Sequence, residues 1–227
     1  MYLDYYYFVL VVPALMIALI AQIRVKSTFH KYSQVTNRRQ YTGAMVARQI
    51  LDSNGLQNIR LERVAGELSD HYDPRAGVIR LSDSTYNSTS VGAIGVAAHE
   101  VGHAIQHQVG YLPIKIRNAI IPVTQLGSSL AFPLAIIGLI MGMDLLVQIG
   151  IILFCAVVVF QLVTLPVEFN ASRRALVTLE SDHILEDDEL RGARKVLSAA
   201  AMTYVASLIV AVANLLRLLA LRNRNNR

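Results

Sequence analysis

The 227-residue chain has no tryptophan, one cysteine and few charges, which make up 16% of it. The single Cys155 excludes an intrachain disulfide framework, although it does not fix the compartment. No internal repeat, low-complexity linker or basic stripe with interleaved aromatics occurs. The net charge of +5 therefore does not point to nucleic acid, and membrane topology explains it better. What remains is apolar: 54% of the residues are hydrophobic and the mean hydropathy is +0.43, too high for an ordinary soluble domain. Composition thus gives a membrane protein, long enough for several spans and one compact domain.

Residues 5–23 form a first apolar run of bilayer length, with Tyr5, Tyr6 and Tyr7 as an interfacial belt and Pro13 as a possible kink. Met1-Tyr2-Leu3-Asp4 lacks the positive start of a signal peptide, and Gln22-Ile23-Arg24 lacks a small-residue cleavage site, so the run reads as a retained anchor. Arg24, Lys26, Lys31, Arg38 and Arg39 follow and place that side in the cytoplasm. Residues 119–143 and 145–165 are two more apolar runs separated by a very short turn, a transmembrane hairpin in which Gly127, Ser128 and Ser129 suit close helix contact. Residues 196–216 are a fourth. If it spans, Arg217, Arg222, Arg224 and Arg227 lie outside, against the charge rule, so an interfacial last helix stays open.

The polar segment between the first two runs carries the chemistry. Residues 42–53 read as a helix with Met45, Val46, Ile50 and Leu51 inward, and residues 59–64 and 78–82 as strands. The second strand either offers its edge to an extended peptide or is plain structure. His99-Glu100-Val101-Gly102-His103 then sits in a predicted helix over 91–109, entered through Ser88, Thr89 and Ser90 and stopped at Gly110. Positions four apart share a helical face, so His99 and His103 can present two imidazoles to one zinc ion. Glu100 is turned to the neighbouring side, as a base for a water rather than a ligand. Ile94, Ala98, Val101 and Ile105 form the buried back of the helix, and Gly102 leaves room beside the metal.

His107 is a full two turns beyond His99, about 12 Å along an unbroken helix, too far to share that ion. A catalytic zinc wants a third protein ligand and an open position. Glu168, directly after the third apolar run, is the leading candidate, with Ser172 one turn on to orient a ligand; an ordinary acid at the membrane boundary is the other reading. For the group that steadies the developing oxyanion, Arg173, Arg174, His71 and His183 all stay open, each having a plain structural alternative. For His71 that alternative is a turn histidine paired with a neighbouring acid. Glu186-Asp187-Asp188-Glu189 reads as a solvated loop or helix start.

Asp70-His71-Tyr72-Asp73-Pro74, the motif at His99, the segment from Leu165 to Ala175, Gly192-Ala193-Arg194-Lys195-Val196-Leu197 and Ala199-Ala200-Ala201-Met202-Thr203-Tyr204-Val205 together resemble the YugP-like neutral zinc metallopeptidases of bacterial membranes. The resemblance covers nearly the whole chain. More distantly the layout is similar to gluzincin membrane proteases of the HtpX type, which implies that Glu168 completes the zinc site. Where those relatives commonly carry Asp four residues after that ligand, this chain has Ser172.

The expected architecture is a mainly α membrane protein with about four transmembrane helices and a small α+β zincin-like cytoplasmic domain. Its parts are an anchor (1–23), a catalytic domain (24–118), a transmembrane hairpin (119–166), a cytoplasmic segment with the third ligand (167–195) and a last transmembrane or interfacial helix with a basic tail (196–227). The expected function is cleavage of membrane or membrane-near polypeptides at the cytoplasmic face, with one Zn2+ per chain, the bilayer as surroundings and an oligomeric state the sequence does not give. Quality control is implied by the HtpX-type likeness alone. Hydrolysis of a non-peptide amide or small substrate, and a non-catalytic zinc-binding scaffold, remain as alternatives; Glu100 speaks against the scaffold, since a structural site needs no base.

Overall fold

The computed structural model describes residues 5–225; the opening Met1 to Asp4 and Arg227, both used in reading topology, lie outside the described residues. A π-helical turn, Tyr7–Val11, runs into α1 (Val12–Ser33). It is followed by α2 (Gly43–Ser53), β1 (Arg60–Val64), β2 (His71–Asp73), β3 (Val78–Ser82) and α3 (Val91–Gln108). Three long helices complete the chain: α4 (Leu112–Met141), α5 (Asp144–Ser181) and α6 (Asp187–Asn225). Among the described residues, four helical stretches are long and apolar enough to cross a membrane: Tyr7–Ser33, Leu112–Met141, Asp144–Ser181 and Asp187–Arg224. The last apolar run is thus of spanning length, and α1, α5 and α6 continue well past their apolar stretches into polar sequence.

The chain divides into two compact units. The first contains residues up to Gln22, Leu112–Pro166 and the chain from Met202 onward. Within it, α4 and α5 approach closely because glycine stands at the contacts: a Cβ on Gly150 would lie 2.6 Å from the Ala131 carbonyl oxygen, and one on Gly127 2.7 Å from that of Leu153. Ser128 and Ser129 are not part of this contact. They are exposed and return their hydroxyls to the Gln125 carbonyl, as helical serines do when no neighbouring helix takes them. The α4–α5 turn meets the end of α6, where the Arg222 guanidinium donates to both oxygens of Asp144 at 2.8 and 3.0 Å. Arg217 lies over the rings of Tyr7 and Phe132, at 5.0 and 4.6 Å. Two of the tail cations that opposed the charge rule are therefore held by a carboxylate and two aromatic faces.

The second unit, Ile23–Tyr111 with Val167–Ala201, holds the polar sequence. Its three-stranded sheet has the order β1-β3-β2, with β1 parallel and β2 antiparallel to β3. The central strand is thus β3, whose residues Val78 to Arg80 are paired on both sides. Of the two readings of this strand the plain structural one holds and the open-edge one is corrected: Val78 to Arg80 are taken up by neighbours on both sides, and an edge that packs against α3 belongs to the short β2. α2 starts where Thr42 accepts the Met45 N–H, and buries Val46, Ile50 and Leu51; Met45, expected inward, is 52% exposed because it falls on the turn's outer side. These side chains join Ile79 and Leu81 of β3 and Ile94, Val101 and Ile105 of α3 in one apolar core, which Leu179, Ala193 and Leu197 of α5 and α6 complete. The acidic run starts α6: Glu189 accepts the Glu186 N–H and the Arg38 N–H, and Asp188 pairs with Arg38.

Candidate metal centre

Ser90 caps α3 by accepting the Ala93 N–H, which fixes the start of the helix and hence the phase of everything after it. Ile94, Ala98, Val101 and Ile105 are buried on one face, and His99 and His103 emerge from another. Gly102 between them makes room for α5 and not for a metal: a Cβ there would lie 2.7 Å from the Ala171 carbonyl oxygen. That close approach carries Glu168 to the histidines. Its carboxylate Oε2 is 3.3 Å from His99 Nε2 and 3.6 Å from His103 Nε2, and the two imidazole nitrogens are 3.2 Å apart.

These atoms are one donor from each of three residues, clustered at the only place among the described residues where three such groups converge. They fit zinc on distance alone. Zinc bonds of about 2.0–2.1 Å at tetrahedral angles separate neighbouring donors by about 3.3–3.4 Å, close to all three observed edges. The chemistry fits as well, since two imidazoles and a carboxylate are a standard catalytic donor set. Glu168 is 4% exposed and His103 9%, so water solvates neither freely. Burial of the His103 ring opposes its charge, but the Glu168 carboxylate beside it and the negative charge of Glu100 outweigh this and raise its pKa above the ordinary imidazole value.

The surroundings hold the donors in place. The Ser172 hydroxyl is 3.1 Å from His99 Nδ1, the contact anticipated one turn beyond Glu168. His103 Nδ1 is 3.0 Å from the Gln106 side-chain oxygen. Gln106, which the sequence reading passed over, is fully buried and also donates to the Val167 carbonyl at 2.7 Å and to Asn170 Oδ1 at 3.0 Å. Asn170 takes a further hydrogen bond from Arg174 Nε at 2.8 Å. Glu100 follows His99 on α3 and is 8% exposed.

The other candidates are placed elsewhere. His107 is exposed and meets the Tyr72 ring edge-on, 6.2 Å between centroids. His71 lies on β2, where its Nδ1–H donates to the Ser69 carbonyl at 2.9 Å and its other nitrogen faces Arg80 at 3.4 Å. It is not paired with its neighbouring acids: Asp70 accepts from the Ser82 N–H and hydroxyl, and Asp73 closes the turn through the Arg75 and Ala76 N–H groups. Arg173 and Arg174 are turned about 140° and 240° around α5 from Glu168. With Asn170 and Ile105 they line a groove of about 360 Å³. His183 lies beyond the end of α5, about 20 Å of helical rise from Glu168, which removes it from the chemistry.

The profile of the family described as "Putative neutral zinc metallopeptidase" matches residues 7–223. The chain belongs to this family. It is also 49% identical over 208 residues to "Putative membrane protease YugP" of Bacillus subtilis (strain 168), an overlap covering 92% of each chain. No solved structure matches it. The zinc metallopeptidase family thus agrees with the donor cluster at His99, His103 and Glu168, and membership extends across all four apolar helices.

Proposed function

We propose that the chain is a membrane-embedded zinc endopeptidase of the HExxH, gluzincin type, cutting membrane or membrane-near polypeptides at the cytoplasmic face. The observation that carries this reading is the convergence of two imidazole nitrogens and one carboxylate oxygen within 3.6 Å of one another, on helices brought together by Gly102. Three lone-pair donors held so close call for a cation. His99, His103 and Glu168 would hold one zinc, which when bound polarises the scissile carbonyl and acidifies a water.

Glu100, one residue after the first ligand, would serve as the base that takes the proton of an attacking water and returns it to the leaving amine. Backbone addition along the edge of β2, the strand that packs on α3, would hold an extended substrate above the site. The basic residues after the first apolar run support the cytoplasmic side, since Arg24, Lys26, Lys31, Arg38 and Arg39 oppose export. A role in protein quality control is the outermost part of this reading and is supported by the likeness to HtpX-type membrane proteases alone.

The test is cleavage of an unfolded polypeptide by detergent-purified protein. Glu100→Gln is expected to retain zinc while the rate falls about 10²–10⁴-fold, the range for loss of a positioned general base. Undiminished cleavage by Glu100→Gln would remove Glu100 from the mechanism. Hydrolysis confined to small amides would instead favour a narrow non-peptide substrate.

A further inference from the structure

We infer that Gln106 is a positioning residue: it fixes which nitrogen of His103 faces the metal and ties that ligand to the helix supplying Glu168. The inference rests on the metal-site reading above. It begins with a carbonyl. The Val167 oxygen can only accept, and the Gln106 side-chain nitrogen lies 2.7 Å from it, so the amide's NH2 must point that way. Asn170 reinforces the same orientation. Its Oδ1 accepts from Arg174 Nε at 2.8 Å, which identifies that atom as oxygen, and it takes the second Gln106 hydrogen at 3.0 Å.

With both hydrogens of Gln106 committed to α5, only its oxygen is left for His103 Nδ1 at 3.0 Å. That nitrogen must therefore carry a hydrogen. Nε2 keeps its lone pair for the cation, beside Glu168 Oε2 at 3.6 Å. Ser172 does less for His99, because a hydroxyl both donates and accepts and so imposes no tautomer. The two imidazoles are consequently held with unequal strictness, His103 by an amide with no freedom to turn and His99 by a rotor.

Position adds a second effect. Val167 directly precedes Glu168, so the Gln106 amide joins a ligand of α3 to the backbone beside the ligand of α5. Loss of this clamp should loosen the spacing of the donors as well as the tautomer. Gln106→Met preserves length and burial while removing every hydrogen bond. Gln106→Glu keeps an acceptor for His103 but loses both donations to α5.

The experiment uses cobalt(II) in place of zinc in the full chain, with paramagnetically shifted proton NMR of the ligand imidazole N–H groups and zinc affinity by chelator competition. Wild type should show a slowly exchanging His103 Nδ1–H. In Gln106→Met that resonance should be lost to exchange, the His99 signal should remain, and zinc affinity should fall about 10–100-fold. Gln106→Glu should retain the His103 resonance but move it, because a charged acceptor strengthens the bond; this variant decides the matter if Gln106→Met does not fold. An unmoved His103 resonance in both variants, with unchanged zinc affinity, would overturn the inference while leaving the metal site intact. Failure of wild type itself to bind, or binding that ignores His99, His103 and Glu168, would overturn the metal-site reading and the inference with it.

Discussion

Nε2 of His99 and Nε2 of His103 face each other at 3.2 Å with a carboxylate oxygen beside them, an arrangement that needs either a shared proton or a cation between the donors. The raised pKa of His103 describes the proton-bound alternative. Its sign follows from linkage: a histidine raised above its unfolded value of about 6.5 stabilises the metal-free fold fully below that pH, and loses the contribution as pH rises through the folded value. Zinc has to displace that proton. Zinc retention should therefore weaken on acidification from a pH above the ordinary imidazole range, with protons released on binding. Calorimetric titration in buffers of different ionisation enthalpy measures this, and proton-independent zinc binding would contradict it. At this scale His99, Glu100 and His103 were legible because each is a chemical type at a tell-tale spacing, whereas Glu168 was only an acid after an apolar run until the resemblance to HtpX-type proteases marked it as a ligand. Gln106 was not legible, since a glutamine on a helix looks like surface until its partners 61 and 64 residues away are seen.

Among the elements, α3 and α5 determine the site, and the contact between them rests on Gly102. The sequence shows a glycine inside the motif without showing what fills the space, and the filler is the backbone of Ala171. Gly102→Ala gains about 1 kcal/mol of helix propensity but meets a carbonyl, and overpacking of that kind costs about 1–3 kcal/mol. A lower melting temperature and weaker zinc retention are expected together. A variant as stable and as zinc-loaded as wild type would show that α5 does not need the close approach. The cap at Ser90 was legible because a hydroxyl before apolar periodicity acts locally, whereas Thr42, read as the first residue of its helix, caps it instead. β2 escaped notice as a strand, three residues being too few for alternation, and strand order is not a local property of sequence at all.

For the whole molecule, the four apolar runs were plain in composition, and the helices that contain them outrun the apolar stretches because polar helical sequence continues at one end of each. The orientation proposed here rests on the basic residues after α1 and has a direct test in a Cys155→Ser background, since Cys155 is the chain's only thiol. A cysteine at the exposed Asn58 should react with an impermeant maleimide only after the membrane is opened, and one at Met143, 45% exposed in the α4–α5 turn, in intact cells. The reverse pattern would place the donor cluster outside. The tail arginines need not object to this orientation, with Arg222 on Asp144 and Arg217 on two rings.

The central claim is that Glu168 completes a zinc site begun by His99 and His103. Zinc per chain, measured on detergent-purified wild type and Glu168→Ala after identical dialysis against a weak chelator, tests it most directly. One zinc per wild-type chain and little in Glu168→Ala, with cleavage lost in parallel, is the predicted result. Equal zinc and equal cleavage in the two proteins would contradict it, and the third ligand would have to be sought elsewhere.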